Sequence, residues 1–247
     1  MGYMSAHPAL LQIRSVSKHF GSLQVTNDLS LDVFAGEALG ILGPNGAGKT
    51  TLFNLITGDL FPNLGQIVFK DQDITRSSAH LRCQLGIGRS YQIALPFEGM
   101  TVFENLLVGA KFGAQDKSDQ VAHERCVQIL DRTGLLRIAN RLAGSLTLLD
   151  RKRLELARAL ATNPELILLD EIAGGLTEHE ALELVEVVNQ IKKDGVTIIW
   201  IEHVVHALMA VATRLVVINF GEILAQGEPK AVMESPDVKR VYLGLEI

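Results

Sequence analysis

Apolar and polar residues alternate from Leu11 to Val16 and again from Leu29 to Val33, the period-two signature of half-buried strands. A third such strand is predicted over Gly65–Phe69, ending at the polar turn Lys70-Asp71-Gln72-Asp73. Four runs are almost wholly apolar: Ala38–Leu42, Leu166–Leu169, Val196–Ile201 with Thr197 as its one polar residue, and Leu215–Ile218. Strands of that kind are buried on both faces, and helices between them predict a mostly parallel sheet covered on both sides. Helices are predicted at Thr51–Ile56, at Val204–Ala212 and at Glu180–Lys193, where Leu182, Val185 and Val188 recur at helical spacing. From about Val102 to Leu160 the pattern is helical, broken at Gly113-Ala114 and at Gly134, with a last helix over Arg151–Ala161 bounded by Asn163-Pro164. The chain has no internal repeat, low-complexity tract or flexible linker. It is expected to form one domain over residues 1–247, α/β in class, with antiparallel strands at its N-terminal end and an inserted helical subdomain at about 93–162.

Between the strand Ala38–Leu42 and the helix Thr51–Ile56 lies Gly43-Pro44-Asn45-Gly46-Ala47-Gly48-Lys49-Thr50-Thr51, a complete phosphate-binding loop. Its glycines let backbone N–H groups converge on phosphate oxygens. Lys49 supplies a charge for the β- and γ-phosphates, and the hydroxyl of Thr50 suits a Mg²⁺ ligand. The following helix start adds its partial positive charge. The loop therefore points to a nucleoside triphosphate, without saying how the energy is used.

Two later strands end in groups fit for hydrolysis. Leu166–Leu169 runs into Asp170-Glu171, delivering two carboxylates to the C-terminal edge of the sheet, where open α/β sheets bind ligands. Asp170 is a candidate Mg²⁺ ligand through its water shell, and Glu171 a general base or orienter of the attacking water. Val196–Ile201 runs into Glu202-His203, and His203 is placed to hydrogen-bond a γ-phosphate oxygen and position water. Gln92 follows a strand-like segment, Gly86 to Tyr91, at the entrance to the helical insert, where its amide could reach Mg²⁺ and water.

Composition narrows the picture. The 247 residues are 47% hydrophobic, enough for a large core. Mean hydropathy of +0.22 is high, which fits either that core or an apolar face reserved for a partner. No apolar run reaches the roughly 18–20 residues needed to cross a bilayer, and Met1 to Pro8 lacks a basic start followed by an apolar stretch. A cytoplasmic site is expected. Net charge of −5 argues against a broad nucleic-acid surface. The densest basic cluster, Arg151-Lys152-Arg153, is expected to be the solvated first turn of a helix. Cys83 and Cys126 lack metal-ligand spacing and are expected as reduced thiols in or near the core.

The phosphate loop, Gln92, a segment before Arg151, Asp170-Glu171 and His203 occur in the order found in ABC-type ATPase domains, and the resemblance covers essentially the whole chain. Within that family the chain most resembles the cytoplasmic ATPases of branched-chain amino acid importers. Three segments carry this: Gly86-Ile87-Gly88-Arg89-Ser90-Tyr91-Gln92, then Met100-Thr101-Val102-Phe103-Glu104-Asn105-Leu106-Leu107-Val108-Gly109-Ala110, and Val238-Lys239-Arg240-Val241-Tyr242-Leu243-Gly244. The resemblance implies a P-loop NTPase fold and a head-to-tail ATPase dimer, homodimeric or with a paralogue, enclosing two ATP molecules with Mg²⁺. It implies integral membrane permease subunits gripped near Gln92 and Ile93–Met100. It also implies, indirectly, a solute-binding protein, and a peripheral position on the cytoplasmic face of the inner membrane. Phe20 matches the aromatic that stacks on adenine, with Val25 beside it; a core phenylalanine is the alternative.

The family's signature, Leu-Ser-Gly-Gly-Gln, is matched by Leu146-Thr147-Leu148-Leu149-Asp150. Thr147 keeps a hydroxyl that could reach a γ-phosphate across the dimer, and Leu149 stands where backbone should approach phosphate. Asp150 adds a negative charge, offset by Arg151 and Lys152. Thr147-x-x-Asp150 is also a helix-capping pattern. A second departure is Thr177, where the family often has aspartate. The altered signature implies slow hydrolysis by the isolated chain. Competing readings are a lipopolysaccharide-type exporter ATPase, a soluble ABC ATPase acting on ribosomes or DNA, and a P-loop kinase. The soluble type usually has two fused halves or coiled-coil arms, and a kinase needs an acceptor site and lid; neither is evident.

Overall fold

The computed structural model describes residues 8–113 and 118–243. The leader reading of residues 1–7, Ala114 at the helix break and Gly244 of the tail segment fall outside these residues. In chain order, strands β1 (Ala9–Phe20), β2 (Leu23–Phe34) and β3 (Ala38–Leu42) precede helix α1 (Lys49–Thr57). Next come β4 (Leu64–Phe69), β5 (Gln72–Asp73), α2 (Ala79–Leu85) and β6 (Ile87–Ser90). Helices α3 (Val102–Phe112), α4 (Asp119–Arg132) and α5 (Leu148–Ala161) follow, the last two separated by short 3₁₀ turns at Leu136–Ile138 and Ala143–Ser145. Then come β7 (Leu166–Asp170), α6 (Glu178–Lys193), β8 (Thr197–Ile201), α7 (Val205–Val211), β9 (Arg214–Asn219), β10 (Glu222–Gly227), α8 (Pro229–Glu234) and α9 (Pro236–Leu243). The chain divides into two compact units, one formed by residues up to 79 and from 212 onward, the other by residues 80–211.

In the first unit an antiparallel sheet has the order β2-β1-β4-β5. Leu11 faces Val33, Ile13 faces Leu31 and Val16 faces Leu29, and all six side chains are buried. Ile13 and Val16 share a face although three residues apart because the register slips between them at Ser15, whose φ of 49° marks a bulge. Both strands run well beyond the apolar alternation, since hairpin hydrogen bonds need no apolar side chains. Strand β3 pairs in parallel with β9, Ile41 opposite Val216, and β10 closes antiparallel on β9. Strand β10 and helices α8 and α9 lie beyond the elements predicted from the sequence.

The second unit holds three parallel strands with β7 between β6 and β8. Every residue of β7 and β8 is buried, as their almost wholly apolar runs predict. Helix α6 starts two residues before the predicted Glu180 because Thr177 and Glu180 form a reciprocal capping box. Its buried stripe is Ala181, Leu184, Val185, Val188 and Ile191, while Leu182 is exposed, turned off that stripe by one helical step. Cys83 is partly buried and Cys126 buried, and both are free thiols. Burial pushes the Cys83 thiol up, and pushes Cys126 to about 11. Among the described residues no helix is long and apolar enough to cross a membrane.

Helix α3 is pinned at its start by the Thr101–Glu104 capping box. One turn in, the fully buried Asn105 amide donates to Phe97 O at 3.1 Å and to Thr101 O at 2.9 Å, and accepts from Phe97 N–H at 2.9 Å. This side chain thus ties the segment leading into α3 to the first turn of the helix, beside main-chain bonds from Ala143 N–H to Met100 O and Gly144 N–H to Glu98 O. Asn105→Ala leaves the Phe97 N–H without its acceptor, while Phe97 O keeps the Met100 N–H, and a loss of about 1–3 kcal/mol is expected, read as a lowered urea midpoint at unchanged slope.

Candidate functional site

In the first unit, the buried strand β3 delivers the chain to Gly43. A Cβ on Gly43 would lie 2.2 Å from Ile218 O, and one on Gly48 would lie 2.5 Å from Val25 O. Gly48 has φ 99°, a conformation that L side chains rarely adopt. The loop is therefore wedged between β9 and β2, with Val25 against it. Gly221 N–H, in the β9–β10 turn, donates to Ala47 O at 3.1 Å and braces the loop's far side. Pro44 O accepts from Ala47 N–H, while Asn45 and Gly46 are exposed at the tip. Lys49 is buried, and its ammonium donates to Gly43 O at 2.7 Å and Pro44 O at 3.0 Å. Helix α1 opens at Lys49 without a side-chain cap, so the N–H groups of its first turn, Thr50 and Thr51 included, have no capping oxygen. This cradle fits a polyphosphate by chemistry and by space. Phe20, at the end of β1, is 47% exposed with Lys18 Nζ 5.1 Å from its ring centroid, so it is not a core residue.

The second unit brings together three residues that lie far apart in sequence. Glu171 follows β7; its Oε1 lies 2.8 Å from His203 Nε2, and its Oε2 accepts from Gln92 Nε2 at 2.5 Å. One carboxylate is thus aimed from both sides. Its main chain is held as well: Glu171 has φ 48°, rare for a non-glycine residue, and its N–H donates to Ile201 O. Asp170, the last residue of β7, is buried, and its Oδ2 accepts from Arg89 Nη2 at 2.8 Å. The opposing side chains are 6% and 4% exposed. Among the described residues no group of three or more His, Cys, Asp and Glu forms a metal cage.

Three charged residues of this unit escaped the sequence reading as parts of the site. Arg89 sits inside β6 and neutralises Asp170; a lone charge in a strand otherwise fit for burial was the available signal. Glu202 is buried, and its carboxylate accepts from the N–H groups of Ala173, His203 and Val204, tying the turn after Glu171 to the one that carries His203. Lys152 overturns the expectation of a solvated basic turn. It is 6% exposed, and its ammonium donates to Gln92 O at 2.8 Å and Glu171 O at 3.2 Å. Its spacing held the clue, since Leu149, Lys152 and Leu156 fall on one helical face. Burial pulls the Lys152 pKa down, against the opposing pull of Glu202, Glu171, Asp170 and Glu155.

The signature segment is remodelled as a helix start. Thr147 caps α5 by accepting from Asp150 N–H at 3.2 Å. Leu148 and Leu149 lie within the helix, so neither needs a positive φ; Leu149 is tucked in and Leu148 is exposed. The counter-charge of Asp150 is Arg153, at 3.9 Å, and not the expected Arg151 and Lys152. Arg153 in turn meets Glu183 at 2.5 Å, while Arg151 donates to Gly144 O and Leu146 O. Thr177 has the same use at α6, where its hydroxyl caps the helix in place of the carboxylate the resemblance implied.

A model of the ABC transporter family matches residues 26–174. The high-affinity branched-chain amino acid transport ATP-binding protein LivG of Escherichia coli K12 is 36% identical over 249 residues, spanning 95% of this chain and 98% of its own length. The lipopolysaccharide export system ATP-binding protein LptB of Haemophilus influenzae is 35% identical over 236 residues, spanning 96% and 98%. The crystal structure of an ATP-binding cassette of an ABC transporter in its ADP conformation superposes with a TM-score of 0.88 at 32% identity, over 96% of this chain and all of that one.

The Arg89–Asp170 pair gives a measurable consequence. Arg89→Met keeps the volume of the strand residue but leaves a buried carboxylate without its cation. A loss of about 3–5 kcal/mol is expected in chemical denaturation, relieved in the Arg89→Met, Asp170→Leu double variant.

Proposed function

This chain belongs to the ABC transporter family as an ATP-hydrolysing ATP-binding cassette, and from that premise we propose that it powers an importer of branched-chain or other hydrophobic amino acids or related small solutes. The observation that carries the hydrolytic reading is the Glu171 carboxylate held between His203 and Gln92. In this reading the loop Gly43–Thr51 binds the phosphates of ATP and Lys49 compensates their charge. Phe20 stacks on the adenine beside Val25, and the Thr147–Leu149 segment faces the nucleotide of a second cassette, Leu149 through its main chain because its side chain is tucked in. Glu171 polarises the attacking water and takes its proton, while His203 and Gln92 fix the carboxylate so that no reorientation is needed during the reaction. Thr50, Gln92 and Asp170 would hold Mg²⁺, which supplies charge neutralisation at the phosphates.

The chain is read as one cassette over residues 1–247 with a helical subdomain at about 93–162. It would pair head-to-tail with a second copy or a paralogue. Ile93, Leu95 and Phe97 follow Gln92 and are exposed, Leu95 by 74%. An apolar row directly beyond a catalytic amide suits a helix of a membrane permease subunit. That role puts the cassette on the cytoplasmic face of the inner membrane, with a solute-binding protein as an indirect partner and no nucleic acid. A second reading, the ATPase of a lipopolysaccharide exporter, is favoured by the similarity to LptB.

Glu171→Gln tests the catalytic assignment. It is expected to keep ATP binding, lose turnover by at least about 100-fold, and elute as a dimer with saturating ATP in size-exclusion chromatography. Cells carrying this variant should lose uptake of radiolabelled leucine; intact uptake with defective lipopolysaccharide export would favour the second reading. The signature gives a further expectation: Leu149→Gly with Asp150→Gln raises the turnover of the isolated chain, and a native chain faster than this variant would overturn the idea of a slowed cassette.

A further inference from the structure

Glu171 occupies a left-handed backbone conformation (φ 48°), which a non-glycine residue keeps only where its surroundings over-determine it. Three main-chain bonds do so. Its N–H donates to Ile201 O at 2.8 Å, its carbonyl accepts from Gly174 N–H at 3.2 Å, and the same carbonyl accepts from Lys152 Nζ at 3.2 Å. The first two come from neighbouring backbone. The third comes from a side chain on α5, and that ammonium also holds Gln92 O at 2.8 Å. A single buried cation thus ties the main chain of the two residues whose side chains meet at 2.5 Å.

The contact belongs to a longer grip. On the same face of α5, Glu155 accepts from the Tyr91 main chain, and Arg158 donates to Leu95 O at 3.1 Å and stacks 5.1 Å from the Phe97 ring. Glu155 and Arg158 are themselves paired at 2.9 Å. Lys152, Glu155 and Arg158, at three-residue spacing, therefore hold successive main-chain groups of the Tyr91–Leu95 segment.

We propose that Lys152 is a positioning residue for hydrolysis: its ammonium fixes the main chain of Gln92 and Glu171 together, and so sets the aim of the Glu171 carboxylate. This rests on the reading of Glu171 as the group that handles water. An uncharged chain of similar length at 152 fills the same space but gives up the ammonium's bonds to both carbonyls, so Glu171 keeps its bonds to Ile201 and Gly174 but loses its tie to Gln92 and its carboxylate is aimed less closely. A displacement of the carboxylate is expected to cost roughly 10- to 100-fold in rate at unchanged KM.

The test uses the full chain with Mg-ATP and compares Lys152→Met, Lys152→Arg and Glu171→Gln with the native protein for kcat, KM and thermal midpoint. Lys152→Met is expected to lower kcat by roughly 10- to 100-fold at unchanged KM, and Lys152→Arg, which keeps a donor able to reach both carbonyls, to restore most of it. Undiminished kcat in Lys152→Met, whether or not its thermal midpoint falls, overturns the proposal. So does a loss that appears in KM alone. If Lys152→Met does not fold, Lys152→Gln decides in its place, since its shorter amide cannot hold both carbonyls: lowered kcat supports the proposal and native kcat overturns it. Glu171→Gln separates the two levels. If it retains native turnover, the reading of Glu171 fails; if it is inactive while Lys152→Met is fully active, only the role of Lys152 fails.

Discussion

A strand buried on both faces has no room along its length for an uncompensated charge, so the polar work of such a sheet is displaced to the strand ends. Here β3, β7 and β8 are buried at every position, and each leads directly into chemistry: Gly43 and the phosphate loop, Asp170-Glu171, and Glu202-His203. The same burial that makes these strands rigid gives each functional group a fixed point of departure. The turns beyond them need only short, well-bonded connections to hold their geometry.

Rigidity at the strand ends comes from compensated charges. Arg89 neutralises Asp170, Glu202 binds three main-chain N–H groups, and Lys152 binds two main-chain carbonyls. Each is buried, and each would be costly alone. Together they surround Glu171 with an environment in which neither its backbone nor its side chain is free to turn. In the first unit the phosphate loop is held by a different means, close backbone approach: Gly43 against Ile218, Gly48 against Val25, and Gly221 bonded to Ala47. Amides so held keep their orientation without side chains that would compete with a phosphate for space.

The departures from the family pattern follow a common logic. Thr147 and Thr177 both sit where helices begin, and both use their hydroxyls as caps. The leucines at 148 and 149 lie in the first turn of helix α5, and Asp150 is neutralised by a residue on its own helix. Each residue takes part in a helix start.

Short-range features were legible in the chain itself. The nine residues from Gly43 carry their own turn chemistry, the almost wholly apolar runs could only be buried strands, and Thr147 and Asp150 spell a helix start within four residues. What packing alone decided were partnerships across long sequence distances, Arg89 with Asp170, Lys152 with Gln92 and Glu171, and Arg153 with Glu183, together with which face of α6 is buried, Leu184 and not Leu182. The local pattern at Arg151-Lys152-Arg153 could not separate a solvated turn from a buried one, because whether a lysine leaves water depends on the carbonyls that meet it. Those carbonyls belong to segments 60 and 19 residues away, brought to it only when the sheet and α5 close on each other. Backbone preference and apolar period act over a few residues and fix the elements; the pairing of charges waits on which elements come to lie together, and that is settled by the packing of the whole unit.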